Sequence, residues 1–404
     1  MLTEFTQSIV SDLATFYRKH LLEDVMPFWE VRTKDLECGG YLTCFDRFGN
    51  LTDANKYIWF QGRQLWMFSA LYNQVESRSA WLDLASWGRE FIVSKAYAGG
   101  GRWNYQLDRN GCIQQGTISI YTDMFVLQGL CEYATASGHI SDYALINDTY
   151  RAIESNTQDL DFKDIFHGVW SPQFKRHAVY MIAINTAQIA EQVLGAERTR
   201  TLIDHCLDQI LNVFVKDDRR ALFESVDRNG NIVNNDEGRV LNPGHALESM
   251  WFCLEEGIRR KDQVVIDRAV QVIDWMYERG KDTECGGIFA YLDADGDVPK
   301  QMDWHKETGM EWHDKPWWVF TESMYALALA AVETGRDDMF GRFVELHEWS
   351  QKYCYDREYG EWYAEYYRDG RPKLTDKGTP WKSAYHLPRS LMKVMQLFDR
   401  YVDS

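Results

Sequence analysis

Apolar runs with helical periodicity alternate with short polar segments along the whole chain. Their apolar positions recur every three to four residues, and most runs end at a glycine, which is the usual C-terminal punctuation of a helix. Several runs are apolar on more than one face, as at residues 324–331, and such helices belong inside a larger body. The predicted helices are residues 120–136, 179–194, 245–254, 264–277, 323–332 and 390–401.

Between the helices, one pattern recurs: an aromatic, alternating stretch that runs into an Asp/Asn–Gly turn. This pattern predicts a short β-hairpin or extended loop. Five copies lie at residues 39–49, 103–111, 223–230, 289–296 and 362–370. Their turn glycines are about 60 to 75 residues apart, except for one gap of roughly double length, where residues 166–172 look like a shortened sixth copy. Internal repetition at this period determines the architecture of a chain.

Six such units leave room for two helices each. The sequence therefore predicts an all-α fold, an (α/α)6 barrel of six helical hairpins with short β-hairpin loops at one end. An open α-solenoid is the alternative, but its end repeats would form polar caps, and neither end of this chain has that character. With no Pro/Gly/Ser-rich linker in the sequence, we expect a single domain over residues 1–404.

Composition narrows the class of protein. The 45% hydrophobic content is ordinary for a globular domain, and no apolar run approaches the roughly 18 residues needed to span a bilayer. Without a signal-peptide pattern, and with eight irregularly spaced cysteines, we expect free thiols in the cytoplasm. The net charge of −17 argues against nucleic acid and anionic membranes as partners.

A second sixfold register is offset from the turns and consists of polar residues at or just before the helix starts. Equivalent positions on the inner helices of a barrel point towards one end of its central cavity, so these side chains are expected to converge on one pocket. The 16 tryptophans suit a sugar pocket, because aromatic faces stack on the C–H side of a pyranose. The members of the register are Arg63, Tyr121, Asn185, His245, Glu322 and His386.

The two histidines of this register are the strongest catalytic candidates. His245 and His386 occupy matching repeat positions among aromatic and charged neighbours, and an imidazole exchanges protons readily near neutral pH. No nucleotide-binding glycine motif or metal-ligand spacing is present. A competing interpretation makes Glu248 and Glu322 the general acid and base of a glycosidase, and a non-catalytic sugar-binding barrel is a third.

Four motifs resemble the N-acylglucosamine 2-epimerase family. They are FQGRQLWMF at residues 60–68, NPGHALESMWF at 242–252, EWHDKPWWVFTE at 311–322 and WKSAYHLPR at 381–389. The resemblance covers most of the chain in order and implies an α6/α6 barrel. The family includes N-acyl-D-glucosamine 2-epimerases, cellobiose 2-epimerases and aldose–ketose isomerases acting on mannose or related sugars.

The resemblance implies that His245 and His386 are the acid/base pair, with Glu248 and Glu322 orienting or polarising them. Arg63 is then the candidate that stabilises the enediolate at the C1 oxygen. No metal ion is required by this scheme, and some acylglucosamine epimerases use ATP as an activator that is not consumed. A homodimer is expected from apolar helix faces. The resemblance places around the sugar Tyr121, Asn185, Lys315, Trp317, Trp318 and Trp381.

The substrate follows from two details of the same resemblance. Asn185 stands where isomerases and cellobiose epimerases carry a third histidine, and the first histidine lies in an Asn-Pro-Gly-His sequence. Both features resemble the acylglucosamine epimerases, so we expect reversible C2 epimerisation of N-acetyl-D-glucosamine and N-acetyl-D-mannosamine. The alternatives are a D-mannose/D-glucose 2-epimerase and a mannose–fructose aldose–ketose isomerase of the same family.

Overall fold

The computed structural model describes residues 5–138, 140–163, 173–301, 306 and 308–404. The chain divides into two compact units. Unit 1 is formed by residues 1–27, 209–375 and 386–404, and unit 2 by residues 28–208 and 376–385. The single domain expected over residues 1–404 stays a prediction.

Helices dominate both units, and the helices predicted from periodicity are confirmed, although some begin earlier than expected. The helix predicted from residue 323 begins at Trp317, and the one predicted from residue 390 begins at His386. None of the helices in the described part of the chain has the length and apolar character needed to cross a membrane. In chain order the helices are α1 (Gln7–Lys19), α2 (Met26–Glu30), α3 (Ile58–Gln74), α4 (Ser79–Phe91), α5 (Ile120–Ser137), α6 (Tyr143–Gln158), α7 (His177–Leu194), α8 (Ala196–Asp208), α9 (Pro243–Arg260), α10 (Gln263–Gly280), α11 (Trp317–Thr334), α12 (Asp337–Tyr353) and α13 (His386–Asp403).

Within each unit, neighbouring helices pack against one another as hairpins, and the most apolar helices contact several others. In unit 2, α3 packs on α4 and α5, α5 also packs on α6 and α7, and α7 packs on α8. In unit 1, α9 packs on α10 and α11, α11 also packs on α12 and α13, and α13 packs on α1. The α3–α5 contact is close because Gly62 faces the backbone of Phe125, where an added Cβ would lie 2.5 Å from the carbonyl oxygen. The helices that are apolar on several faces are thus buried, as the pattern predicts.

Short strands form the loops between helices. The five predicted turns are confirmed, because in each the glycine has a positive φ and donates its N–H to the carbonyl of the residue three before it. The sixth copy expected at residues 166–172 lies outside the described residues. The strands are β1 (Cys44–Phe45), β2 (Leu51–Asp53), β3 (Lys56–Tyr57), β4 (Tyr97–Gly99), β5 (Arg102–Trp103), β6 (Gln106–Leu107), β7 (Ile113–Gln115), β8 (Phe174–Arg176), β9 (Val215–Lys216), β10 (Ala221–Leu222), β11 (Ser225–Asp227), β12 (Val240–Leu241), β13 (Leu292–Asp293), β14 (Lys315–Pro316), β15 (Glu365–Tyr366) and β16 (Pro372–Leu374).

Each unit contains a buried ion cluster of the same type, which holds a loop in place before the start of a helix. In unit 1, Asp282 accepts a bond from the buried Lys315 ammonium at 3.1 Å and a bidentate pair from the Arg368 guanidinium at 2.7 and 2.9 Å. Burial raises the pKa of this carboxyl, but the two cations outweigh that effect and hold it below its usual value. The corresponding residues of unit 2 are Asp35, Lys56 and Arg109.

Candidate active site

His245 is fixed at the start of α9 by the sequence around it. Asn242 caps the helix, its side-chain oxygen accepting the His245 N–H at 3.0 Å, and Pro243 occupies the first helical position. Gly244 allows α11 to approach, since a Cβ there would lie 2.6 Å from the ring of Trp318. In the Asn-Pro-Gly-His sequence, Asn caps the helix, Pro makes the first turn rigid, and Gly allows close contact with α11. Together these features fix the position of the His245 imidazole.

Glu224 holds the His245 ring, and the sequence did not reveal it. The Nδ1 of His245 donates to Oε2 of Glu224 at 3.0 Å. Burial lowers the pKa of His245, but the negative charge of Glu224, helped by Glu248, outweighs burial and raises it above its ordinary value. Glu224 directly follows the aromatic residue of the 223–230 hairpin, and its position in that repeat is the only sequence signal it carries.

His386 is held in the same way at the start of α13. Its Nδ1 donates to Oε1 of Glu322 at 2.7 Å, and Oε1 of Glu248 lies 4.0 Å from the same nitrogen. The other oxygen of Glu322 accepts the indole N–H of Trp251 at 2.9 Å. Both predicted glutamates thus lie beside this histidine, as expected from their proposed orienting role.

Arg389 lies between the two glutamates and was not among the predicted site residues. It is one turn after His386 on α13, buried, and its Nη2 donates to Glu322 at 2.8 Å and to Glu248. One ligand atom from each of Glu248, Glu322 and His386 falls within 4.8 Å of the others, a spacing compatible with a metal ion. The Arg389 guanidinium, however, already places a positive charge beside both carboxylates, where a metal ion would otherwise do so.

Trp318 lies beside both histidines. Its ring centroid is 5.1 Å from that of His245 and 6.0 Å from that of His386. Trp317, the first residue of α11, has its ring 6.4 Å from His386. The two predicted aromatic residues therefore border the histidines in unit 1.

The shared geometry of the two histidines determines what they can do. When a carboxylate accepts from Nδ1, that nitrogen keeps its proton, and Nε2 becomes the atom that takes or gives one. Unit 1 thus presents two imidazoles, each with a carboxylate at Nδ1, beside one indole ring. Such a pair suits proton transfer at two faces of one carbon atom.

In unit 2, Arg63 lies on α3 in an aromatic cage. Its guanidinium carbon is 3.8 Å from the centroid of the Phe125 ring, 5.0 Å from Trp59 and 5.1 Å from Tyr385. Tyr385 is fixed in turn by a 2.9 Å bond from its hydroxyl to Gln128. Rings around the guanidinium hold its plane in one orientation, which prepares it for directional hydrogen bonds.

The other predicted residues of unit 2 are less constrained. Tyr121 is the second residue of α5 and is partly exposed, whereas Asn185 is buried on α7. Trp381 is 37% exposed, with its ring edge-on to Trp59 at 5.5 Å. Their roles around a sugar stay predictions.

Lys315 has contacts that differ from the predicted role. Its ammonium is fully buried and donates to Asp282 and to the Gly286 carbonyl. Burial lowers its pKa to about 8 against the opposing effect of Asp282. These contacts give Lys315 a structural function in the loop and do not support sugar binding.

Known proteins resemble this chain along most of its length. It is 33% identical over 390 residues to the N-acylglucosamine 2-epimerase of Bos taurus, covering 92% of this chain and 87% of that protein. It is 23% identical over 411 residues to a cellobiose 2-epimerase of Dictyoglomus turgidum, covering 94% and 97% of the two chains. The solved cellobiose 2-epimerase of Spirochaeta thermophila superposes with a TM-score of 0.82 at 18% identity, covering 97% and 98%.

The solved structures confirm the predicted fold class, an all-α (α/α)6 barrel. The sequence model of the N-acylglucosamine 2-epimerase (GlcNAc 2-epimerase) family matches residues 40–390, a range that contains both histidines and the carboxylates that hold them. This protein therefore belongs to the N-acylglucosamine 2-epimerase family, an enzyme family of isomerases.

Proposed function

We propose that this protein catalyses the reversible C2 epimerisation of N-acetyl-D-glucosamine and N-acetyl-D-mannosamine. The observation that carries the proposal is the pair of imidazoles, His245 and His386, each held through Nδ1 by a carboxylate and both beside Trp318. The choice of substrate is supported by the higher identity to an N-acylglucosamine 2-epimerase (33%) than to a cellobiose 2-epimerase (23%).

The chemistry needs two proton-transfer groups. In the open-chain sugar, the C2 proton is acidified by the adjacent C1 aldehyde, and its removal leaves an enolate, which is an enediolate only in sugars with a hydroxyl on C2. Nε2 of one histidine takes that proton, and the protonated Nε2 of the other returns one to the opposite face of C2, which inverts the centre. The carboxylates at Nδ1 keep each imidazole in the tautomer that this exchange requires.

Stabilisation of the enolate completes the scheme. The negative charge develops on the C1 oxygen, and a fixed cationic donor lowers the barrier more than a mobile one, because no reorganisation is needed during the reaction. Arg63 is proposed for this role, supported by the aromatic cage that fixes its guanidinium. Return of the proton to C1 instead of C2 gives a ketose, which is how the alternative mannose–fructose isomerase activity would arise.

The glycosidase interpretation is less well supported. A general acid requires a carboxyl group that is protonated at working pH. Glu248 and Glu322 share the Arg389 guanidinium, and Glu322 also accepts from His386 and Trp251. These contacts suit two hydrogen-bond acceptors that position neighbouring side chains, whereas a glycosidase requires one of the two carboxyl groups to donate a proton.

The proposal extends to conditions and assembly. We infer that turnover requires no metal ion, that the protein is cytoplasmic and that it forms a homodimer. Activation by ATP, without its consumption, is also proposed by analogy with the family. Activity that survives chelation by EDTA and dialysis supports the metal-free scheme. Activity restored only by an added divalent ion would replace it with a metal site at Glu248, Glu322 and His386.

Proton NMR in D2O tests the function directly. N-acetylmannosamine, D-mannose and cellobiose are incubated separately with the enzyme, with and without ATP. The expected result is the C2 epimer of N-acetylmannosamine with deuterium at C2. His245→Asn and His386→Asn should each abolish conversion, while His205→Asn, a half-buried histidine on α8 of unit 2, should not. Ketose formed from mannose would instead favour the isomerase, and conversion of mannose to glucose would favour the free-sugar epimerase.

A further inference from the structure

Glu365 is a largely buried residue whose side chain makes no hydrogen bond to the described residues. Its residue is 8% exposed, and no hydrogen bond or ion pair joins its side chain to any described residue. Burying a polar group without compensation costs about 1–3 kcal/mol in proteins. Native structures seldom keep such a group unless a ligand, an ion or chemistry uses it.

The strand geometry shows which way Glu365 faces. Its neighbour Tyr366 lies 5.9 Å from the ring of Trp349 on α12 and donates its hydroxyl to the Cys354 carbonyl at 3.1 Å. Successive residues of a strand point to opposite faces. Glu365 therefore faces away from α12, on the same side of the small sheet as its register partners Pro316 and Leu374.

The strand that carries Glu365 adjoins the start of α11. The carbonyl of Ala364, the residue before Glu365, accepts the N–H of Trp317 at 3.2 Å. Trp317 and Trp318 open this helix, and Trp318 lies beside both histidines. Glu365 thus belongs to the strand that borders the histidine site of unit 1.

The charges around Glu365 favour a group that can both donate and accept. Burial raises its pKa to about 7, with Asp314 adding to the rise and Lys373 opposing it. Lys373 is already paired with Asp314. Near neutral pH a large share of the molecules therefore carries the neutral acid, which donates one hydrogen bond and accepts others, as a sugar hydroxyl requires.

We propose that Glu365 is a substrate-recognition residue that hydrogen-bonds a sugar hydroxyl away from C1 and C2. The inference rests on the proposed epimerase function and adds to it the residue that selects among sugars. A site that presents a buried hydrogen-bonding group discriminates against an analogue lacking the matching hydroxyl, because the group is then left unpaired.

The test uses Glu365→Leu and Glu365→Gln, with the exposed Glu358→Gln as control. Glu365→Leu should lower kcat/KM for the substrate about 10–100-fold, the range expected for one lost hydrogen bond to a charged or buried group. Its melting temperature should stay equal or rise, because the variant removes an unpaired buried carboxyl. Glu365→Gln, which can still donate and accept, should lose less.

A panel of 3-, 4- and 6-deoxy analogues identifies the hydroxyl. One analogue should be poor for the wild type and no worse for Glu365→Leu, as expected when both changes remove one hydrogen bond. Wild-type kcat/KM in Glu365→Leu, or equal further losses on every analogue, would overturn the assignment while leaving the epimerase function intact. If the wild type converts none of the sugars, the proposed function fails. Calorimetric titration with N-acetylmannosamine then tests the recognition role separately. An unchanged Kd in Glu365→Leu, or no binding by the wild type, would reject the recognition role of Glu365.

Discussion

Glu224 holds the imidazole of His245 through Nδ1 at 3.0 Å, and this contact repeats the 2.7 Å contact between Glu322 and His386. In both cases the carboxylate comes from a different element than the histidine, which opens its own helix. The repetition matters chemically, because a carboxylate at each Nδ1 leaves both Nε2 atoms available, one to take a proton and the other to return one. Glu224 is therefore a positioning residue for His245.

Replacing Glu224 with glutamine should lower kcat about 10–100-fold, the usual effect of losing the partner that orients a functional histidine. The amide cannot balance an imidazolium charge, so the pKa of His245 should fall below its wild-type value. Steady-state rates over pH 5–9, together with NMR titration of the histidine resonances, measure both effects. Glu197→Gln, on the exposed face of α8, is the control. An unchanged His245 titration in the Glu224 variant would contradict the assignment.

Arg389 provides a second prediction. Its buried guanidinium neutralises Glu248 and Glu322, so Arg389→Met leaves two buried carboxylates without a cation. Breaking a buried pair in this way costs about 3–5 kcal/mol, and we expect denaturant unfolding to show a loss of that size. Arg389→Lys keeps the charge but not the bridging geometry and should lose less stability. Equal stability of the wild type and the methionine variant would show that the bridge is dispensable.

The sequence predicted the features that depend on local order. Periodic apolar positions identify helices, and an Asp–Gly pair after an alternating stretch identifies a turn, because neighbours along the chain determine both. His245 and His386 were predicted as catalytic residues because they recur at matching repeat positions, and their role stays a prediction. Glu224 was missed because its partner is 21 residues away, and only the folded chain joins them.

Lys315 shows the converse error of sequence reasoning. Lys315 was expected to bind sugar. Its ammonium instead donates a hydrogen bond to Asp282, which lies 33 residues earlier in the chain. Arg389 was likewise inside a quoted motif, but nothing local tells that its guanidinium bridges two glutamates from other helices. Long-range pairing between charged groups is the information that periodicity does not contain.

The buried ion clusters of Asp282 and Asp35 predict that loss of the central carboxylate lowers the free energy of unfolding to a similar extent in either unit. Each carboxylate has one buried lysine and one bidentate arginine. Asp282→Asn and Asp35→Asn each leave the buried lysine without its charge partner, and we expect each to cost about 3–5 kcal/mol. The arginines keep their ion pairs with Glu284 and Glu37. Urea unfolding followed by circular dichroism gives the free energies. Asp369→Asn, in an exposed turn, should leave stability close to that of the wild type. An equally small change at Asp282 would mean that the loop is held by other contacts.

The last prediction concerns acid stability and His347 on α12. Its ring is buried, its Nδ1 lies 2.9 Å from the Tyr17 hydroxyl, and the rings of Phe16 and Phe343 pack against it. Burial, reinforced by the positive charge of the nearby His20, lowers the pKa of His347 from 6.5 to about 4. Between these two values the unfolded chain binds a proton that the folded chain does not, so the free energy of unfolding falls as the pH falls through this window. At pH 4 the loss from this group should reach about 3 kcal/mol.

Urea unfolding at pH 7, 5.5 and 4 checks this slope. His347→Gln keeps an acceptor for the Tyr17 hydroxyl but cannot titrate, so its stability should depend less on pH, and the difference from the wild type should narrow as the pH falls. His313→Gln replaces a histidine whose side chain is 38% exposed and should follow the wild-type curve. Parallel pH profiles for the wild type and His347→Gln would show that His347 does not contribute to acid sensitivity.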